Sequence, residues 1–177
     1  MEQETSVWKA NFNSGLIFAL IGIAYTLILY FMDQTLNRGL GYAFLVVQIV
    51  ILYFLIKSYR DNFLKGYITY GQSVGAGVVI FVYYAIISAI FAYILYKLID
   101  PGLIDKQLAM SEEIMVRRGA PQQAIDAGMA IQKKIMVPWI MALMSIFSTM
   151  IGGTILSLIV SIFTRKEGNP LIQSREN

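Results

Sequence analysis

Cysteine and histidine are both missing from the 177 residues. Their absence removes disulfides, thiolate nucleophiles, Cys/His zinc sites, imidazole-ligated haem and every catalytic triad that uses imidazole as its base. Charge is scarce as well. Charged residues make up 14% of the chain against about a quarter in soluble domains, while 57% is hydrophobic, so too little polar surface exists to clothe a globule in water. The chain carries a net charge of +3. Its basic residues stand beside apolar runs instead of forming a patch with interleaved aromatics, so they orient a chain in a membrane and do not read nucleic acid.

What is present is a series of long charge-free windows. The most extreme, Gly66 to Tyr96, runs between Lys65 and Lys97 without one ionisable acid or base, and about 20 apolar residues suffice to cross a bilayer as a helix. Three more follow the same rule: Ala10 to Met32, Gly39 to Ile56, and Ile135 to Thr164. Four spans are expected, at about 12–32, 40–56, 72–99 and 137–163, within one membrane domain covering 1–177. Glu2 and Glu4 oppose the basic start of a signal peptide and no small-x-small cleavage site follows the first run, so that run is expected to stay as a span. Lys57 to Lys65 reads as a connecting loop, and the residues after Lys166 as a short loose tail.

Small residues recur at helical spacing on three spans. Gly15, Ala19, Gly22 and Thr26 share one face of the first; Gly71 and Gly75 open the third, with Ala85, Ser88, Ala89 and Ala92 later in it. On the fourth, Ser145, Thr149, Gly153, Ser157 and Ser161 fall at strict i+4 steps, a ridge on which another helix can pack. The second span has bulk instead, in VVQIVILYFLI, and should fill its neighbours' grooves.

Residues 101–136 differ from the rest. Asp100 can cap a helix, Pro101 can occupy its first position, and Gly119 can end it in a left-handed turn. Ile104, Leu108 and Met115 face one way, and Glu113 and Arg117 make an i, i+4 pair. Pro121 opens a second helix with Ala124, Gly128, Ile131 and Ile135 at helical spacing. The expectation is an amphipathic helical hairpin between spans three and four, lying on the membrane or standing above it.

No ionisable side chain lies inside the windows, which argues against proton or cation coupling within the bundle. A neutral polar layer remains near mid-span: Tyr25, Gln48, Tyr83, Tyr84, Ser148 and Thr149. Its simplest role is interhelical hydrogen bonding; a binding site for a neutral amphiphile is the sharper alternative. Seven of the nine methionines follow Ala109. Thioethers can hold cuprous copper, but without Cys or His beside them they read as adaptable packing. Glu112 and Glu113 are neighbours that diverge on a helix and make no acid/base pair. No catalytic, cofactor or metal residues are assigned.

With four spans both termini share a side. Lys9, Lys57, Arg60, Lys65, Arg165, Lys166 and Arg175 collect there, against Arg38 in the first opposite loop, which favours the cytoplasm. The hairpin opposes this with Lys106, Arg117, Arg118, Lys133 and Lys134, although five acids from Asp100 to Asp126 accompany them.

Ile68, Tyr70, Gly71 and Gln72 opening the third span, Ile99-Asp100-Pro101 closing it, RRGAPQQAIDAGM in the hairpin and LSLIVSIFTRK at the end of the fourth resemble a bacterial membrane family known only as domain of unknown function 4199. The resemblance covers nearly the whole chain in layout. It implies a four-span bacterial inner-membrane protein and supplies no activity. The function expected is therefore non-enzymatic: a scaffold or accessory subunit with membrane lipids around it and a protein partner, or a second copy, on its small-residue faces or its hairpin. A lipid or amphiphile carrier using the midplane layer is the alternative.

Overall fold

The computed structural model describes residues 6–167; the acids at positions 2 and 4 and the tail from 168 onward lie outside the described residues. The architecture is all-α, in the order α1 (Val7–Phe31), α2 (Arg38–Phe63), α3 (Tyr70–Ile94, continued as a π-helical turn over Leu95–Ile99), α4 (Gly102–Arg117), α5 (Gln122–Ile135) and α6 (Pro138–Thr164). No strand occurs among the described residues, only a single backbone bridge between Ile68 and Lys166. α1, α2, α3 with its π turn, and α6 are each long and apolar enough to cross a membrane. The four charge-free windows and the all-helical fold are thus the ones expected.

One boundary moves. α2 does not stop at Ile56 but runs on to Phe63, so most of the expected loop after Lys57 is helix. Lys57 and Arg60 end the apolar run without ending the helix, because long basic side chains extend from a helix into the headgroup zone. Asn37 starts α2 by accepting from the amides of Gly39 (2.9 Å) and Leu40 (3.4 Å). α3 starts on a capping box: the Gln72 side chain accepts from the Thr69 amide at 3.0 Å, and Thr69 Oγ1 accepts from the Gln72 amide at 3.3 Å.

Two compact units divide the chain, one built from residues up to 87 and from 148 onward, the other from 88–147. In the first, the small-residue face of α1 is buried, with Gly15, Ala19 and Gly22 all inside. A Cβ on Gly22 would lie 2.7 Å from Tyr84 Cε2, and one on Gly15 would meet Tyr83. The aromatic rings of α3 therefore sit directly on the α1 backbone. α6 repeats the device, with Gly153 under Phe81 and Ser157 under Gly77. Ile56 of α2 fills the remaining space above Gly77, 3.3 Å from where its Cβ would be, as the bulk of that span suggested.

The expected Gly71/Gly75 face of α3 is not a packing face. Both glycines are exposed with nothing within 4 Å of an added Cβ. The buried stripe is Ser73, Ala76, Gly77, Ile80 and Tyr84, with Ala85 and Ala89 beyond. A helix apolar on every side gives no sequence signal for which side meets protein and which meets lipid.

In the second unit, Asp100 is extended (φ −143°) and Pro101 already helical (φ −60°, ψ −25°), with no side-chain hydrogen bond capping α4. The cap is made by the backbone: the Leu103 amide donates to the Asp100 carbonyl at 3.2 Å. Gly119 (φ +71°) ends α4 in a Schellman turn, the Ala120 amide reaching the Met115 carbonyl (3.1 Å) and the Gly119 amide that of Val116 (2.9 Å). Arg117 and Glu113 pair at 2.6 Å. α4 and α5 meet where the Met115 methyl closes over Gly128, 3.0 Å from an added Cβ. The buried residues of α5 are Ile125 and Met129; of the four read at helical spacing, Gly128 is half-buried under Met115 while Ala124, Ile131 and Ile135 are exposed.

Candidate functional site

The six midplane residues do not converge. Gln48 and Tyr84 are joined, the Gln48 amide donating to the Tyr84 hydroxyl at 3.2 Å. Tyr84 is held for this contact by stacking on Phe18 (centroids 4.6 Å apart) and by lying over Gly22. Tyr83 turns the other way: its hydroxyl donates to the Trp8 carbonyl at 3.3 Å while its ring takes the edges of Trp8 and Phe12. Tyr25 donates to the Leu40 carbonyl at 2.8 Å and stacks on Phe44. Ser148 is exposed and Thr149 half-buried, and neither makes a side-chain hydrogen bond among the described residues. A tyrosine ring carries its hydroxyl well away from the depth of its own Cα, so equal depth in sequence does not mean a shared polar layer.

The ridge of α6 is buried only in its second half. Gly153, Ser157 and Ser161 are inside, with Val160 and Thr164 beside them, while Ser145 and Thr149 are half-buried. At its foot Ser73 and Thr164 share a buried hydroxyl pair at 2.6 Å, and Tyr70 donates to the Leu158 carbonyl at 3.1 Å.

Three features carry no mark in the spacing of small residues. First, the Arg60 guanidinium donates to the Thr164 carbonyl at 3.3 Å, placing a cation at the negative end of α6, and pairs with Asp61 at 2.8 Å. Lys57 and Lys166 add their charges to the field at the Asp61 carboxylate. Second, a groove of about 420 Å³ lies between α2 and α6, lined by Ile49, Val50, Tyr53, Val160 and Phe163. Third, the Thr69-x-x-Gln72 capping box is legible as a short motif, and it accounts for Gln72 in the first turn of α3. No group of three or more metal-ligating side chains occurs among the described residues. The late methionines include Met115 and Met129, which pack between α4 and α5.

Four apolar helices of spanning length, packed through glycine-on-aromatic contacts and interhelical hydrogen bonds, define a helical multi-pass membrane protein. Residues 13–166 match the model of a protein family of unknown function, DUF4199, and the chain belongs to that family. No curated protein and no solved structure matches it.

Proposed function

We propose that the protein is a non-catalytic subunit of the bacterial inner membrane, a scaffold or accessory component with cytoplasmic termini whose hairpin docks a protein partner. The observation that carries this reading is the second apolar face of α5. Ile125 and Met129 already bury one face against α4, yet Ala124, Ala127, Ile131 and Ile135 form another along the same helix, with Ile131 61% and Ile135 51% exposed. The hairpin's charge points to the occupant. From Asp100 to Met136 five bases meet five acids, a mosaic that suits a protein surface better than an anionic bilayer, which attracts net positive segments. The orientation rests on the distribution of Lys and Arg, and the compartment on the family resemblance.

A carrier for a neutral amphiphile would need open volume beside Gln48. The stacking of Tyr84 on Phe18 and Gly22 at that depth supports packing instead. A photo-crosslinking residue at position 131 or 135, activated in native membranes, should give one discrete adduct with a second polypeptide or a second copy. Adducts with lipid alone from a protein that purifies as a monomer would refute the docking role.

A further inference from the structure

The groove between α2 and α6 and the basic residues at its end have no place in the docking role of the hairpin. α2 and α6 run in the same direction, because Arg60 near the end of α2 contacts Thr164 at the end of α6. Their apolar walls therefore finish at the same membrane face. On α2 the sequence of side chains is Ile49, Val50, Tyr53, then Lys57 one turn on and Arg60 a further turn; on α6 it is Val160, Phe163, then Arg165 and Lys166. Counting Lys65, five bases gather at this end against Asp61 and Glu167, and Asp61 is already engaged by Arg60. The paired backbone bonds of Ile68 and Lys166, both 2.9 Å, fix the Lys166 main chain at this end, and its ammonium lies 5.7 Å from the Tyr67 ring centroid, from which it can swing to a headgroup.

We propose that this groove is a binding site for one anionic phospholipid, an acyl chain lying along Ile49, Val50, Tyr53, Val160 and Phe163 and the phosphate meeting Lys57 and Lys166. The occupant follows from two properties that a generic lipid contact lacks. The walls are apolar and face the hydrocarbon, which selects a chain; the rim keeps an excess of positive charge, which selects an anionic headgroup. Tyr53 lines the same groove one helical turn before Lys57, and its hydroxyl makes no hydrogen bond among the described residues.

The test is native mass spectrometry of the detergent-purified, delipidated protein titrated with phosphatidylglycerol or with phosphatidylcholine of the same chains. One phosphatidylglycerol should bind, about thirtyfold more tightly than phosphatidylcholine if two lysines meet the phosphate. Lys57→Gln with Lys166→Gln should erase the preference while leaving weak binding of both lipids. Val50→Trp, which fills the groove from its exposed wall, should abolish both, with circular dichroism confirming that each variant keeps its helix content. On the unaltered protein, glycerol 3-phosphate should fail to displace the lipid, since it offers the charge without the chain. Equal binding of the two lipids, displacement by glycerol 3-phosphate, or unchanged binding to Val50→Trp would each overturn the proposal, as would a polypeptide retained in the groove in place of lipid.

Discussion

At the scale of single residues, the helices are held together where a ring or a side chain rests on a glycine. Gly153 lies under Phe81, with the position of an added Cβ 2.7 Å from Phe81 Cβ, so Gly153→Ala forces α3 and α6 apart. It should cost about 1–3 kcal/mol, as overpacking does in other cores. Gly75→Ala is the matched control: nothing lies within 4 Å, and the substitution should be neutral or stabilise by up to about 1 kcal/mol through better helix propensity. Unfolding of the two variants in a denaturing detergent series, read by circular dichroism, checks both. Equal effects would show that the two glycines face alike. The Gln48 to Tyr84 hydrogen bond should appear in a double-mutant cycle of Gln48→Leu and Tyr84→Phe as a coupling of about 0.6 kcal/mol, the typical strength of such bonds in membranes.

At the scale of elements, the four spans were legible and their faces were not. A charge-free window is a one-dimensional signal, and a span follows from it whatever the neighbours are. Which side of the span packs is a two-dimensional question, and in α3 both sides are apolar: Gly71 and Gly75 carry the familiar spacing, yet Ser73, Ala76 and Gly77 are the residues inside. α5 carries the same ambiguity, since Ile131 and Ile135 are as apolar as Ile125 and Met129. The face of α1 was read correctly because only one of its sides is small. The groove was beyond reach, since its two walls are separated by more than a hundred positions in the chain. Helix ends obey local chemistry and can be tested locally. Gly119→Ala places a side chain at φ +71°, a conformation costing an L residue about 1–2 kcal/mol, and should raise hydrogen exchange through the last turn of α4. Arg60→Gln removes a charged donor from the Thr164 carbonyl and from Asp61, and should lower stability by about 1.5–3 kcal/mol in the same detergent assay.

At the scale of the whole molecule, the topology proposed above, four spans with cytoplasmic termini, predicts a cytoplasmic α2–α3 connection and a hairpin accessible from outside the cell membrane. The native chain has no cysteine, so single thiols report on sidedness without background. In intact cells a membrane-impermeant maleimide should label Glu112→Cys and leave Asn62→Cys unlabelled until the membrane is opened; both are exposed positions. The reverse pattern would invert the orientation, and labelling of both would contradict the four-span topology.

The π-helical turn at the end of α3 has one more consequence. There the Asp100 amide reaches back five residues to the Leu95 carbonyl at 2.8 Å, so the turn holds one residue more than an ordinary helix needs. Such a turn absorbs a length change: removing one residue between Leu95 and Ile99 lets the backbone relax into regular α-helix with its bonding intact, and Asp100 and Pro101 keep nearly the same bearing around the axis, since the π turn spends its extra residue without adding rotation. A chain one residue shorter here would still begin α4 on the same compass bearing from the last turn of α3.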